Sequence, residues 1–517
     1  MGLRRLEAHA PPVVLPLFLF LAISSSCEDG LKPALSALRR NDAPGAVSVL
    51  ESVRTQCARS SSFYDLLGIA NELSGNTLAG ENALRQAVSL DPNSSRLFAD
   101  LGATYLRNNK PKDAADALSQ ALILDPHNAA AATYLIGAYV AVSEWRKAAD
   151  LFEQTGIANG PTLLKDQIVA LWFAQTFVEL HQPERVDSVF APELREMPPG
   201  LLFSLGTLFA KHGLYARAVE YLQQIPADKA DDAVSFNLGL ASSHLGKFED
   251  ARRYYFQAID AKPEHIEAYF HVGLDYASAG DPRKAIPWLA RAHDWAPARA
   301  DIAYALAEQL IQLQYFDSAK EVLSQALAGK PQDPLLLVAL GDGKLAQGDS
   351  PGALDTYNQA LIASPKMPAA LIGCGRVYIA QEKDEEARAL LQKALSADPN
   401  DPAALGELGL LEAQHEQWSL AFEHLNRAWS QDRSNIKVAL QLARTLQHVN
   451  RAAEAVQLLV SLPPAAQTSP AFHMQLAQLY AGLHRTSDAE AERAAIQKLR
   501  TQNGESIHFD NPKTYVY

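Results

Sequence analysis

Apolar residues recur along most of this chain at the spacing i, i+3, i+4 and i+7, which predicts amphipathic helices rather than strands. Two such windows occur in each stretch of about 34 residues, so each stretch predicts a helical hairpin. The register is clearest between Asp232 and Pro399. There the recurring positions are a Gly or Ala in the first helix (Gly239, Gly273, Ala307, Gly341, Gly375), an Ala in the second (Ala251, Ala285, Ala319, Ala353, Ala387) and a closing proline (Pro263, Pro297, Pro331, Pro365, Pro399).

These small residues predict that the two helices of a hairpin cross closely, with the Gly or Ala of the first helix facing the Ala of the second. The closing proline has no N–H and disfavours helix in the residue before it, so it ends the second helix. One hairpin cannot bury both of its apolar faces, but a stack of hairpins can. The pattern therefore predicts a solenoid, in which each repeat contacts only its neighbours.

The 34-residue period and its spaced small residues resemble the tetratricopeptide repeat over almost the whole chain after residue 26. The resemblance implies an all-α fold, an α-solenoid in which about 14 helical hairpins form a right-handed superhelix. It also implies a scaffold that binds other proteins.

The register divides the chain into blocks. Repeats fill residues 27–155 and 200–500, and residues 501–517 form an irregular tail. Between the blocks, residues 156–199 lack the Gly/Ala signature and contain Pro192, Pro198 and Pro199. We interpret this segment as a degenerate repeat, which is either a joint between the two blocks or a feature that binds a partner.

Residues 1–26 have the organisation of a secretory signal peptide. Arg4 and Arg5 precede an apolar run from Val13 to Ile23, and serines follow. The run is shorter than the roughly 20 residues that span a bilayer. We therefore expect an exported protein of the bacterial periplasm or cell envelope; the bacterial source is suggested by this signal and by the Ala-rich composition.

Cys27, directly after this segment, has two alternative roles. The small residues before it resemble a bacterial lipoprotein box, which would attach a lipid to Cys27 and anchor the protein to a membrane. Alternatively Cys27 and Cys57 lie at neighbouring ends of the first hairpin and form a disulfide, which an oxidising compartment permits. A lipidated Cys27 could not also pair, and a cysteine that is neither lipidated nor paired is the remaining alternative.

Composition and motifs argue against several functions. The net charge is −13, with both signs scattered along the helices, whereas a nucleic-acid partner requires a clustered basic surface. The chain has no metal-binding His-Glu-x-x-His, no Cys-x-x-Cys pair and no nucleophile elbow. We therefore predict no enzyme activity, no metal site and no cofactor.

The resemblance also indicates a binding groove, because first helices line the concave face in tetratricopeptide solenoids. The positions that point into the groove carry aromatic residues in four successive repeats, followed by leucines and then by charges. An aromatic row beside mixed charge suits an extended peptide or a partner helix, although the rings could instead pack between first helices. The predicted groove residues are Phe203, Phe236, Leu240, Phe270, Leu274, Tyr304, Glu308, Asp342 and Arg376.

The function we expect from the sequence is an exported scaffold that binds a protein or peptide partner through this groove. The alternative is an accessory or adaptor subunit of a bacterial envelope secretion or polysaccharide-export assembly. An enzyme is the third hypothesis, because a solenoid can bring together convergent ionisable residues that no motif reveals.

Overall fold

The structure is a computed structural model that describes residues 25–156, 166–463, 467 and 469–502. Almost all of the predicted signal peptide and of the predicted tail lies outside the described residues, which include only Ser25 and Ser26 of the first and Thr501 and Gln502 of the second. Within them the chain forms α-helices that pair in order into 14 hairpins. Hairpins 1 to 7 are Ser25–Arg39 with Ala43–Val53, Ser61–Leu73 with Thr77–Leu90, Ser95–Arg107 with Pro111–Leu124, Ala129–Ala141 with Trp145–Thr155, Gln167–Glu179 with Pro183–Phe190, Pro199–Lys211 with Tyr215–Leu222, and Asp232–His244 with Phe248–Ala261.

The remaining hairpins continue in the same way. Hairpins 8 to 14 are Ile266–Ser278 with Pro282–Trp295, Ala300–Gln312 with Phe316–Gly329, Pro334–Ala346 with Ser350–Ala363, Pro368–Ala380 with Asp384–Ala397, Pro402–Gln414 with Trp418–Gln431, Ile436–His448 with Ala452–Val460, and Pro470–Gly482 with Thr486–Gln502. The predicted all-α class and the predicted number of hairpins are confirmed.

Every hairpin turns through one residue in the left-handed conformation. Five of these residues are glycines, which adopt a positive φ without steric cost, and nine are not. A side chain at such a position costs about 1 kcal/mol, so the packed helices on both sides must hold it there. The residues are Asn41, Gly75, Asn109, Ser143, His181, Gly213, Gly246, Gly280, Gln314, Gly348, Glu382, Glu416, Asn450 and His484.

The close crossing within a hairpin differs from the predicted one. A Cβ on Gly239 would lie 2.5 Å from the Tyr255 ring, and one on Gly273 would lie 2.5 Å from Cγ of Leu289. The small residue of the first helix therefore makes room for a large side chain of the second helix, one turn beyond the predicted Ala. That Ala is still fully buried, as Ala251 and Ala285 show.

The segment that lacks the repeat signature also forms a hairpin. Its helices, Gln167–Glu179 and Pro183–Phe190, are followed by a 3-10 turn at Ala191–Glu193. Phe173 and Phe190 are fully buried, in a core cluster that continues into the hairpins on both sides. The described part of the segment thus packs on its neighbours as one of the hairpins of the stack, and its role as a joint or as a partner-binding feature stays a prediction.

The described residues divide into two compact units, and the boundary lies between Pro263 and Glu264. Unit 1 contains hairpins 1 to 7 and unit 2 contains hairpins 8 to 14. Within each unit, first helices of successive hairpins contact each other, whereas successive second helices hardly touch. The side on which helices approach most closely is the inner side of a curved stack, so first helices line the inner face of each unit.

Candidate functional site

All of the predicted groove residues lie on first helices, and none is part of the buried core. Glu308 and Arg376 are exposed, and the other seven are half-buried. Phe203, Phe236 and Leu240 lie in unit 1, and the rest lie in unit 2. Each unit therefore presents these side chains at the accessible surface of its first helices, and their role in a groove stays a prediction.

The aromatic rings both pack and remain accessible. Phe203 packs against the core cluster of unit 1, and Phe270 packs against one in unit 2. The Phe236 ring lies 5.8 Å from the Tyr255 ring, and the Arg299 guanidinium lies 5.6 Å from the centre of the Phe270 ring. The sequence offered two alternatives for these rings, exposure in a groove or packing between first helices. The rings are half-buried, so neither alternative by itself describes them. Replacing these rings would change stability as well as the surface.

Four predicted residues come together in unit 2. Glu308, Asp342 and Arg376 all act electrostatically on the Tyr304 phenol. Burial and the two carboxylates raise the pKa of this phenol, whereas Arg376 acts to lower it. Burial also raises the pKa of Asp342 and of Glu308, and for Glu308 the charge of Asp342 adds to the effect. Arg376 is directed elsewhere, since its Nε donates to Glu407 Oε1 at 2.8 Å.

A buried tyrosine holds one of these carboxylates. The hydroxyl of Tyr357 donates to Oδ1 of Asp342 at 2.6 Å, although the residue belongs to the second helix of hairpin 10. The ring is fully buried. A Cβ added to Gly341 or to Gly373 would lie 2.5 Å from it, so both glycines leave space for the ring between two successive first helices. Tyr357 thereby fixes the position of Asp342 on the inner face.

Sequence reasoning missed a second set of charges, on the inner face of unit 1. Asp65, which has no exposed side-chain surface, pairs with Arg96 of the next hairpin. Glu72, also buried, accepts from Nε of Arg107 at 2.9 Å. The signal in the sequence is two opposite charges about one repeat apart, 31 and 35 residues respectively. That signal is weak, because charges of both signs are common throughout the chain.

Asp100 lies beside these pairs. Burial raises the pKa of its carboxyl to about 6, although Arg96 and Arg107 act in the opposite direction. Its Oδ2 lies 3.6 Å from Nε of Arg96, at the outer limit of an ion pair. Asp100 can therefore take up a proton near neutral pH, unlike an ordinary aspartate.

Comparison with known families agrees with this geometry. Models described as "Tetratricopeptide repeat" match residues 99–161, 203–264, 236–301, 276–340, 344–408 and 412–479. These segments cover well over half of the chain. The protein belongs to the tetratricopeptide-repeat family. The family implies a scaffold for protein–protein interaction, and its members are generally not catalysts.

Solved tetratricopeptide-repeat structures resemble the chain at low identity. Yeast Tom70 is 16% identical, with 84% of this chain and 97% of that chain covered and a TM-score of 0.40. The Cut9–Hcn1 hetero-tetramer of APC/C gives 15% identity, 81% and 97% coverage and a TM-score of 0.36. Pseudomonas aeruginosa PilF gives 21% identity, 44% and 98% coverage and a TM-score of 0.32. No curated protein matches the chain.

The two N-terminal cysteines form a disulfide in this tetratricopeptide-repeat protein. Cys27 and Cys57 have an S–S distance of 2.02 Å and a Cα–Cα distance of 5.4 Å, and both are buried. In the structure Cys27 therefore forms the disulfide and not the lipid attachment, because a sulfur in a disulfide cannot carry a lipid. Cys374 is a buried free thiol whose pKa burial raises to about 11, so it is inert rather than nucleophilic.

The described part of the chain presents neither a metal-binding cluster nor a membrane-spanning helix. None of its clusters of His, Cys, Asp and Glu side chains is suited to hold a metal ion. None of its helices is both long and apolar enough to cross a membrane.

Proposed function

We propose that this protein is an exported scaffold that binds a protein partner through the inner face of its first helices. The observation that carries the proposal is the placement of the nine predicted groove residues. All lie on first helices outside the buried core, and aromatic, aliphatic and charged side chains are interleaved. Such a mixture is typical of interfaces, where rings anchor the partner and charges select it.

Two observations support export to the bacterial envelope. The first is the basic and apolar character of residues 1–26. The second is the Cys27–Cys57 disulfide, since such bonds persist in secreted and periplasmic proteins and are rare in the cytosol. We do not propose a lipid anchor at Cys27, because its sulfur is bonded to Cys57.

Site-specific photo-crosslinking tests the binding face. A benzoylphenylalanine replaces Glu308 or Arg376 on first helices and, as matched controls, Lys320 or Lys393 on second helices; all four positions are exposed. We expect light to join a partner protein to the two first-helix positions in intact cells. Equal crosslinking from the second-helix positions would contradict the proposal.

Counting reactive thiols tests export. The chain has three cysteines, of which only Cys374 is free, so the denatured protein should take one maleimide before reduction and three after it. A variant that lacks residues 1–26 should stay in the cytoplasm and take three without reduction. Three labels on the full chain without reduction, in a cytoplasmic fraction, would contradict export.

The narrower alternative, an adaptor subunit of an envelope secretion or polysaccharide-export assembly, stays a prediction. The crosslinked partner decides it. A component of such an assembly at Glu308 or Arg376 supports the adaptor role, and an unrelated envelope protein excludes it.

A further inference from the structure

The carboxylate of Glu308 stands on the inner face of unit 2 without a hydrogen bond or an ion pair to any described residue. The carboxylate of Asp342 accepts only from the Tyr357 hydroxyl among the described residues, and no cationic nitrogen of that part of the chain lies within 4.0 Å of it. The nearby Arg376 is engaged by Glu407 at 2.8 Å. Two carboxylates thus share one surface, and Arg376, which acts electrostatically on Asp342, forms an ion pair with neither of them.

Elsewhere on the inner faces, acidic residues are paired. Asp65 and Glu72 each have an arginine of the following hairpin. In unit 2, Arg299 binds both Glu267 and Asp301, with Nη2 2.6 Å from Asp301 Oδ2. The absence of a cation at Glu308 and Asp342 is therefore a local departure and not a general property of this fold.

The position of Asp342 is also fixed in advance. The ring of Tyr357 is fully buried between Gly341 and Gly373, and its hydroxyl donates a hydrogen bond to Oδ1 of Asp342. The other carboxylate oxygen of Asp342 is available to a ligand. A group held in place before binding loses little entropy on binding, which favours affinity. The same hydrogen bond also satisfies the hydroxyl of Tyr357, whose ring is fully buried.

Apolar surface adjoins the two carboxylates. Tyr304, one turn before Glu308, is half-buried, as are Leu274 and Phe270 on the preceding first helix, and all three pack on the same core cluster. A lysine or arginine side chain matches this combination, because its methylene stem covers apolar surface while its charged head meets the carboxylates. An anionic partner such as nucleic acid would be repelled.

On the basis of this charge complementarity, and resting on the proposed function, we propose that the inner face of hairpins 8 to 11 docks a peptide segment of the partner protein whose lysine or arginine pairs with Glu308 and Asp342. Tyr304, Leu274 and Phe270 contact the stem of that side chain and its apolar neighbours. Tyr357 is a positioning residue that acts through Asp342.

The test begins with a random peptide display library selected on the immobilised full chain. Selected peptides are synthesised, and each is also made with its Lys or Arg replaced by norleucine, which keeps the stem and removes the charge. Kd values for both forms are measured on the wild type, on E308Q/D342N, and on D317N/E321Q. The last variant changes charge equally at exposed acids on the second helix of hairpin 9.

We expect the wild type to bind the basic peptide about tenfold more tightly than its norleucine form, as for one charged contact. The ratio should fall to about one in E308Q/D342N and stay near the wild-type value in D317N/E321Q. Y357F should lower the ratio in part. A ratio of two affinities measured on one variant does not report stability, so a merely structural role for Tyr357 would leave the ratio unchanged.

Failure of this inference differs from failure of the proposed function. The inference is overturned if peptides crosslink to position 376 but bind no more tightly than their norleucine forms. It is also overturned if the preference for the basic form persists in E308Q/D342N. Either result is still compatible with the proposed scaffold function. Peptides that crosslink only to the second-helix positions 320 and 393, or a selection that yields no binder, overturn both.

Discussion

On the inner face of unit 1, Asp65 and Glu72 each meet an arginine of the following hairpin, whereas Glu308 and Asp342 of unit 2 meet no cation within 4.0 Å in the described chain. Both faces are built from the first helices of the same repeat. The charges of unit 1 connect one hairpin to the next and so support the stack. Glu308 and Asp342 have no such ion pair, although other acids of unit 2 do, which is why we propose recognition at these two residues.

From this comparison we expect the largest loss of stability when Arg96 is replaced. Replacing it by leucine leaves the fully buried Asp65 without its ion-pair partner, which should lower the free energy of unfolding by about 3 kcal/mol. We choose the low end of the usual range because the Arg96 side chain is 40% exposed. Urea unfolding measures the change.

The matched control for Arg96 is Arg54, whose pair with Glu51 is about half exposed on both sides. Arg54→Leu should change the free energy of unfolding by less than about 0.5 kcal/mol. Equal losses for the two variants would show that the charges of the unit 1 face do not support the stack.

The second prediction concerns what the units share. Ala114 in unit 1 and Ala319 in unit 2 are buried at equivalent positions of the second helix. Leucine at either should overpack the hairpin and cost about 2 kcal/mol. Leucine at the exposed Ser318 is the control and should be nearly neutral. Unequal costs at Ala114 and Ala319, measured by thermal melting, would mean that the units differ within their hairpins and not only on their faces.

A third, smaller effect depends on pH. Because the folded pKa of Asp100 is raised to about 6, the folded state holds this proton more tightly than the unfolded chain does. Its contribution to stability is fully present below pH 4 and is lost as pH rises towards 6. The loss should be about 1 kcal/mol, since solvent reaches this carboxylate and reduces the effect. Asp100→Asn should flatten the stability profile between pH 4 and pH 6, and an unchanged slope would exclude this role.

The smallest effect is expected at Glu308. Since burial and Asp342 raise its pKa, the ionised form is disfavoured in the folded state. Glu308→Gln should therefore leave the free energy of unfolding unchanged or raise it by less than about 0.5 kcal/mol. The same replacement of Glu81 should be destabilising, because its Oε2 lies 2.7 Å from Nζ of Lys110 and its pKa is lowered although burial acts to raise it. A clear loss of stability in Glu308→Gln would show that this carboxylate supports the fold, as those of unit 1 do.

Much of the fold followed from the periodicity of the chain. The hairpin, the all-α class and the number of repeats depend on apolar spacing and on small residues within about 34 positions, which are local properties. The turns follow the same register, since left-handed residues recur every 34 positions from Gly246 to His484. Even Glu382 and Glu416 take this conformation, which shows that packing overrides their local preference.

The candidate site followed only in part. The sequence assigned Phe270, Tyr304, Glu308 and Asp342 to successive first helices, and the structure has them there. The hydrogen bond from Tyr357 to Asp342 could not be predicted, because it requires a second-helix ring to pass between two first helices. The glycines that permit it, Gly341 and Gly373, belong to different hairpins.

The sequence by itself determined the repeating unit, its number and the helices that carry the predicted groove residues, because a helical hairpin is specified by residues close in the chain. The tertiary structure decided which charges are neutralised. Arg96 forms an ion pair with Asp65 and Arg376 forms one with Glu407, whereas Glu308 forms none with any described residue. The tertiary structure also brings Cys27 and Cys57 together in a disulfide. These pairings depend on how far each helix is shifted and rotated against the next, by a few ångströms that a 34-residue period does not encode.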